Sequence, residues 1–135
     1  MNLLVNIDVD DLERAVDFYA RAFGLRVGRR LGPDVVEMLG LDAPLYLLRK
    51  KAGGGAVPGT DAIRDYGRHW TPVHLDIVVA DIEEAMARAK AAGAVVEKEI
   101  ASHVWGKIAL FADPFGHGFC LIEFTDRGYD AIASA

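Results

Sequence analysis

Two stretches of this chain repeat one another. Leu4-Val5-Asn6-Ile7-Asp8-Val9-Asp10-Asp11, followed by LERAVDFYARAFGL, is matched 70 residues on by His74-Leu75-Asp76-Ile77-Val78-Val79-Ala80-Asp81, followed by IEEAMARAKAAGA. With Asp11 set on Asp81, Ile7/Ile77, Val9/Val79 and Ala15/Ala85 coincide, and Gly24 falls one residue from Gly93. Internal self-similarity constrains a fold more than any single element does, because each copy meets the same packing problem. Residues 3–9 alternate, with Leu3, Val5, Ile7 and Val9 on one face and Leu4, Asn6 and Asp8 on the other. Residues 73–79 alternate likewise, Val73, Leu75, Ile77 and Val79 against His74, Asp76 and Val78. A period of two predicts half-buried strands. Asp11 and Asp81 then stand as N-caps of helices, since a carboxylate can accept the free N–H groups of a first helical turn. Leu12, Ala15, Val16, Tyr19 and Phe23 form the apolar stripe of the first helix, which stops at Gly24. Ile82, Ala85, Met86 and Ala89 form that of the second, which stops at Gly93.

Three short strand candidates follow each helix, at 25–31, 34–40 and 44–49, then at 94–101, 105–112 and 118–124. Gly32-Pro33-Asp34, Leu41-Asp42-Ala43-Pro44 and Asp113-Pro114-Phe115-Gly116 mark turns between them. The predicted fold class is α+β, two βαβββ modules in one domain. Module one covers 1–50, a linker 51–70, module two 71–125 and a weakly helical tail 126–135. Gly53-Gly54-Gly55, Pro58 and Gly59 make the linker the stretch expected to move most. No Lys-Ser/Thr follows its glycines, so it is not a phosphate loop. A chain of 135 residues is long enough for a core and a pocket.

Twenty acidic against fifteen basic residues leave a net charge of −5, which argues against nucleic acid or an anionic membrane as the main partner. No apolar run approaches the ~20 residues of a membrane helix. The N-terminus turns acidic by Asp8, unlike a signal peptide. One cysteine, Cys120, excludes an intramolecular disulfide and suits a reducing compartment, so a cytoplasmic protein is expected.

The opening V-x-D-x-x-x-A-x-x-F-Y (Val9 to Tyr19) and the closing D-P-x-G-x-x-x-x-x-x-E (Asp113 to Glu123) are specific in combination. With the paired modules, the chain resembles the vicinal oxygen chelate superfamily, the glyoxalase, bleomycin-resistance and extradiol-dioxygenase group, over residues 3–125. The resemblance implies mixed, curved sheets around a cavity, and a homodimer. It places metal ligands on the first and last strands of each module. In module two His74 and Glu123 match. In module one the corresponding positions are Leu4 and one of Leu47, Leu48 or Arg49, which are not family ligands. Three protein ligands are usual for a catalytic metal, and Asp76 or Asp8 is the candidate third.

Two readings follow. In one, no metal is required, and the cavity binds a small aromatic or amphiphilic molecule. In the other, a divalent metal (Zn, Fe, Mn or Ni) on His74 and Glu123 supports a lyase, isomerase or dioxygenase. In an enzyme without metal, Glu123 would move the proton and His74 would orient the substrate oxygen. Asn6, Asp8 and Asp76 are candidate ligand-binding groups from their strand faces. Tyr46, Trp70, Trp105 and Phe111 are candidates because aromatic faces suit planar ligands. Cys120 is expected to be inert and to point away from the cavity. His117 is read as a turn residue, and His69 and His103 as surface residues.

Overall fold

The computed structural model describes residues 1–134. Strand β1 (Val5–Val9) leads into helix α1 (Leu12–Phe23), then β2 (Arg26–Leu31), β3 (Val35–Leu39) and β4 (Leu45–Arg49). Strand β5 (Leu75–Val78) leads into α2 (Ile82–Ala92), then β6 (Val95–His103), β7 (Gly106–Ala112) and β8 (Gly118–Phe124). Each half is therefore βαβββ. The helices begin and end as the caps require. The Asp11 carboxylate accepts the Arg14 N–H at 3.0 Å, and Asp81 accepts that of Glu84 at 3.0 Å. Gly24 and Gly93 close them at φ 67° and 115°.

The two sheets have the same order, β1-β4-β3-β2 and β5-β8-β7-β6. In each the first and last strands of the half run parallel and the other pairs antiparallel. The register makes the repeat exact in space. Asn6 pairs with Tyr46, and Asp76 pairs with Cys120. Glu37 faces Tyr46 on β3 as Leu110 faces Cys120 on β7. The sheets are not closed into one barrel. What joins the halves is a continuous core in which Ala15 and Phe18 of α1, Ala85 and Ala89 of α2, Leu47 of β4 and Leu121 of β8 share one cluster. One buried polar bond also crosses between them. The Tyr19 hydroxyl donates to Asp113 Oδ2 at 2.6 Å, while Asp113 Oδ1 takes the N–H groups of Phe115 and His117.

Three details depart from the sequence expectation. Strands β1 and β5 start later than the alternation suggests, because pairing with β4 and β8 runs only from Val5 and Leu75. Strands β2 and β6 are bulged, between Val27 and Arg30 and on both sides of Lys98. The glycine-rich linker is a small hairpin around a Gly55–Ile63 bridge, with Ala56 N–H on Ala62 and Arg64 N–H on Gly54. It is tied back to module one by Arg64 Nε on Asp8 (2.7 Å) and by the Tyr66 hydroxyl on the Lys50 carbonyl (2.6 Å). The tail forms one 3-10 turn, Gly128–Ala131. Among the described residues no helix is long and apolar enough to cross a membrane.

Candidate functional site

Strand alternation decides which groups can meet. On β8, Phe119 and Leu121 belong to the core beneath the helices. Glu123 shares their parity. Its Oε2 accepts the N–H of Ile82 at 2.8 Å, the first residue of α2, and it lies with Asp81 and Glu83 near the Lys107 ammonium. That is a helix-terminus contact, favourable for a carboxylate. Cys120 has the opposite parity and stands on the open face, beside His74 and Asp76. The expected pair of His74 and Glu123 is therefore split between the two faces of the sheet. The expectation that Cys120 points away is likewise reversed.

The groups that do converge are His74, Asp76 and Cys120, whose donor atoms lie within 4.8 Å of one another. His74 Nε2 is 3.2 Å from Asp76 Oδ1. Burial, reinforced by the Asp76 charge and by a hydrogen bond to Asp76, pushes the Cys120 thiol up to about 11. The thiol is therefore protonated at neutral pH, unlike an activated nucleophile. A nitrogen, an oxygen and a sulfur donor form a set that suits zinc or another borderline ion better than Mg²⁺. The residues fit such an ion, provided that it displaces the thiol proton.

Two members of this cluster, His74 and Cys120, line a cleft of about 370 Å³, and Asp76 stands beside them. Ile108 and Leu110 of β7 form its apolar wall, and Trp70, 82% exposed, stands at its mouth. Arg68 reaches over it to Glu97 of β6, with Nε–Oε2 at 2.6 Å and Nη2–Oε1 at 2.9 Å. Gly118 leaves room for that guanidinium, since a Cβ there would stand 2.7 Å from Arg68 Nη2. A second cavity of about 280 Å³ opens at the seam between β1 and β5. Asn6 and Asp8 line it, with His74, Thr71 and Gly118 shared between the two hollows.

The remaining candidates are scattered. Phe111 borders the cleft, but its ring is stacked on Phe119 at 5.2 Å within the core. Tyr46 lines neither cavity. Its hydroxyl donates to Glu37 Oε1 at 2.8 Å, and Arg29 Nη2 donates to the same carboxyl at 2.6 Å. Arg29, then Tyr46, hold Glu37 down at about 2. This network occupies the module-one face that corresponds to the module-two cleft. Trp105 stacks on His103 at 5.0 Å and packs near Tyr129, away from both hollows. His69 is not a free surface group. It is half-buried against His117. Arg68, Glu97 and Cys120 were missed as site residues. Arg68 and Glu97 carried no sequence signal, whereas the parity of Cys120 follows once Leu110 is set opposite it on β7.

A glyoxalase-like domain model matches residues 4–122. An uncharacterized protein of Mycobacterium bovis is 32% identical over 127 residues, covering 84% of this chain and 76% of that one. Among solved structures, the genomically encoded fosfomycin resistance protein FosX from Listeria monocytogenes superposes with a TM-score of 0.68 at 18% identity, over 93% of each chain. A glyoxalase/bleomycin resistance protein/dioxygenase family enzyme from Burkholderia phytofirmans does so at 0.67 and 16% identity, over 90% of this chain and 97% of the other. At these identities the structural likenesses speak for the fold.

Proposed function

The chain belongs to the glyoxalase-like domain family, within the glyoxalase/bleomycin resistance/dioxygenase superfamily, and from that premise we propose that its module-two cleft binds a small molecule with a flat apolar body and a polar end. The observation that carries this reading is one cleft that joins an apolar wall, Ile108 and Leu110, to the polar groups of His74 and Cys120, with Asp76 beside them. Binding sites of this kind bury an apolar body and orient it with a few convergent polar groups. A ring set between Leu110 and Trp70 would bring its polar end towards His74, which Asp76 holds at 3.2 Å.

The test is equilibrium binding of planar aromatic probes to protein dialysed against a chelator, followed by fluorescence. Saturable binding that is lost in Leu110→Asp and weakened in Asp76→Asn supports the reading. Absence of saturable binding across neutral, cationic and anionic aromatic probes overturns it. The alternative, a divalent-metal lyase, isomerase or dioxygenase, moves from Glu123 to Asp76 and Cys120, because those are the donors that His74 meets. Probe binding that appears only after addition of Zn²⁺, and disappears in Cys120→Ser, would favour it.

A further inference from the structure

His69 and His117 form one hydrogen-bonded chain. His69 Nδ1 lies 2.9 Å from the Gly67 carbonyl, and His69 Nε2 lies 2.9 Å from His117 Nδ1. His117 Nε2 lies 2.7 Å from the Asp8 carbonyl. Both ends of the chain are carbonyl oxygens, which only accept. Both outer nitrogens must therefore carry hydrogen. The inner N···N contact needs a third. Two neutral imidazoles carry only two between them. We propose that the His69–His117 pair is held by one extra proton, which latches residues 67–69 to β1 and to the turn between β7 and β8.

The surroundings favour that charge. Asp113 Oδ1 accepts the His117 backbone N–H at 2.9 Å, and its other oxygen is held by Tyr19. The Asp8 carboxylate faces Arg64, and Asp65 Oδ1 caps the Gly67 N–H. Arg68 donates to the Gly116 carbonyl at 3.2 Å but is neutralised by its fork onto Glu97. The Tyr66 ring lies edge-on to His117 at 6.3 Å, and His74 stands elsewhere on the lining of the seam cavity. The latch also includes the His69 N–H on the Gly116 carbonyl at 3.3 Å. Without the extra proton, one of the three ring contacts loses its hydrogen. The segment released is the one that leads directly to Trp70 and Thr71 at the cleft.

Nitrogen-15 spectroscopy of the full chain counts these hydrogens. Three are expected on the four ring nitrogens at about pH 5.5, and still three at about pH 7.5, where a free imidazole has lost its charge. A fourth cannot enter without two donors facing each other. The folded chain then keeps a proton that the unfolded chain releases above about pH 6.5, so protection of the His69 amide should fall by up to about tenfold per pH unit from there for as long as the pair holds that proton. His69→Gln supplies an amide donor to His117 Nδ1 without titrating, and its protection profile should be flat over the same range. Four hydrogens at the lower pH and two at the higher would show two independent imidazoles and overturn the proposal. So would an identical protection profile in His69→Gln. If that variant does not fold, the hydrogen count on the unaltered chain decides alone.

Discussion

Replacing Tyr19 by Phe removes one oxygen atom and tests how the two halves are held together. The Tyr19 hydroxyl donates to Asp113 Oδ2 at 2.6 Å, and the two residues are only 4% and 3% exposed. Asp113 Oδ1 is already engaged by two backbone N–H groups. In the variant Oδ2 loses its only donor among the described residues, in a place that water barely reaches. A hydrogen bond to a charged group contributes about 1.5–3 kcal/mol. For a chain of this size that loss should lower Tm by about 5–15 °C. The assay is urea unfolding followed by circular dichroism, with the midpoint moving and the slope m unchanged. Asp113→Asn and the double variant complete a cycle, and a coupling of about 1 kcal/mol or more is expected for groups in contact. A loss in Tyr19→Phe below about 0.5 kcal/mol, or additive effects in the cycle, would refute the claim that this bond ties the halves. Burial first, and then the Asp113 charge, raise the Tyr19 hydroxyl well above its ordinary 10. The folded chain thus favours the neutral phenol. Its contribution is complete at neutral pH and is lost as pH rises past the unfolded value.

Cys120 should resist alkylation by iodoacetamide at neutral pH, since its thiol is pushed up to about 11. Asp76→Asn removes a raising charge and should speed labelling severalfold, which timed mass spectrometry reads. The Glu37 carboxyl is lowered from 4.5 to about 2, chiefly by Arg29. Its stabilising contribution is therefore complete above the ordinary carboxylate range and is lost as pH falls from about 4.5 towards 2. Glu37→Gln should be less stable than the parent at pH 7, with the gap closing in acid, as followed by thermal melts across that range.

The fold was legible because its signals are local and redundant. The two Asp caps, the glycine stops and the period-two strands each fix a boundary without long-range information. The site was less legible, and β8 shows why. Its run Phe119-Cys120-Leu121-Ile122-Glu123 is apolar on both faces. Nothing in its pattern therefore opposes the cavity placement of Glu123 that the family resemblance implies. The face is set instead by pairing with β7, where Leu110 lies opposite Cys120, and by the N-terminus of α2, which takes the Glu123 carboxylate. Tyr46 failed for a related reason. It does face the open side of its sheet, but Glu37 and Arg29 already fill that side. The linker reads as a flexible tether from its glycines. Its hairpin is fastened by Arg64 and Tyr66, which reach partners 56 and 16 residues away in sequence.

The bulges on β2 and β6 limit how this molecule can meet its own kind. Strands β1 and β5 turn towards the seam, so the outer edge of each sheet is β2 or β6. An unpaired edge is a template for another strand unless something bends or charges it. Both are bent by their register shifts. Both are also charged, β2 by Arg26, Arg29 and Arg30 and β6 by Glu97, Lys98 and Glu99. Neither edge can run on into a longer sheet without burying those charges. Strand addition at β2 or β6 is therefore a disfavoured way for copies of the chain to associate. At high concentration, the route to fibrous, strand-by-strand growth is blocked at both outer edges by the same residues that finish the fold.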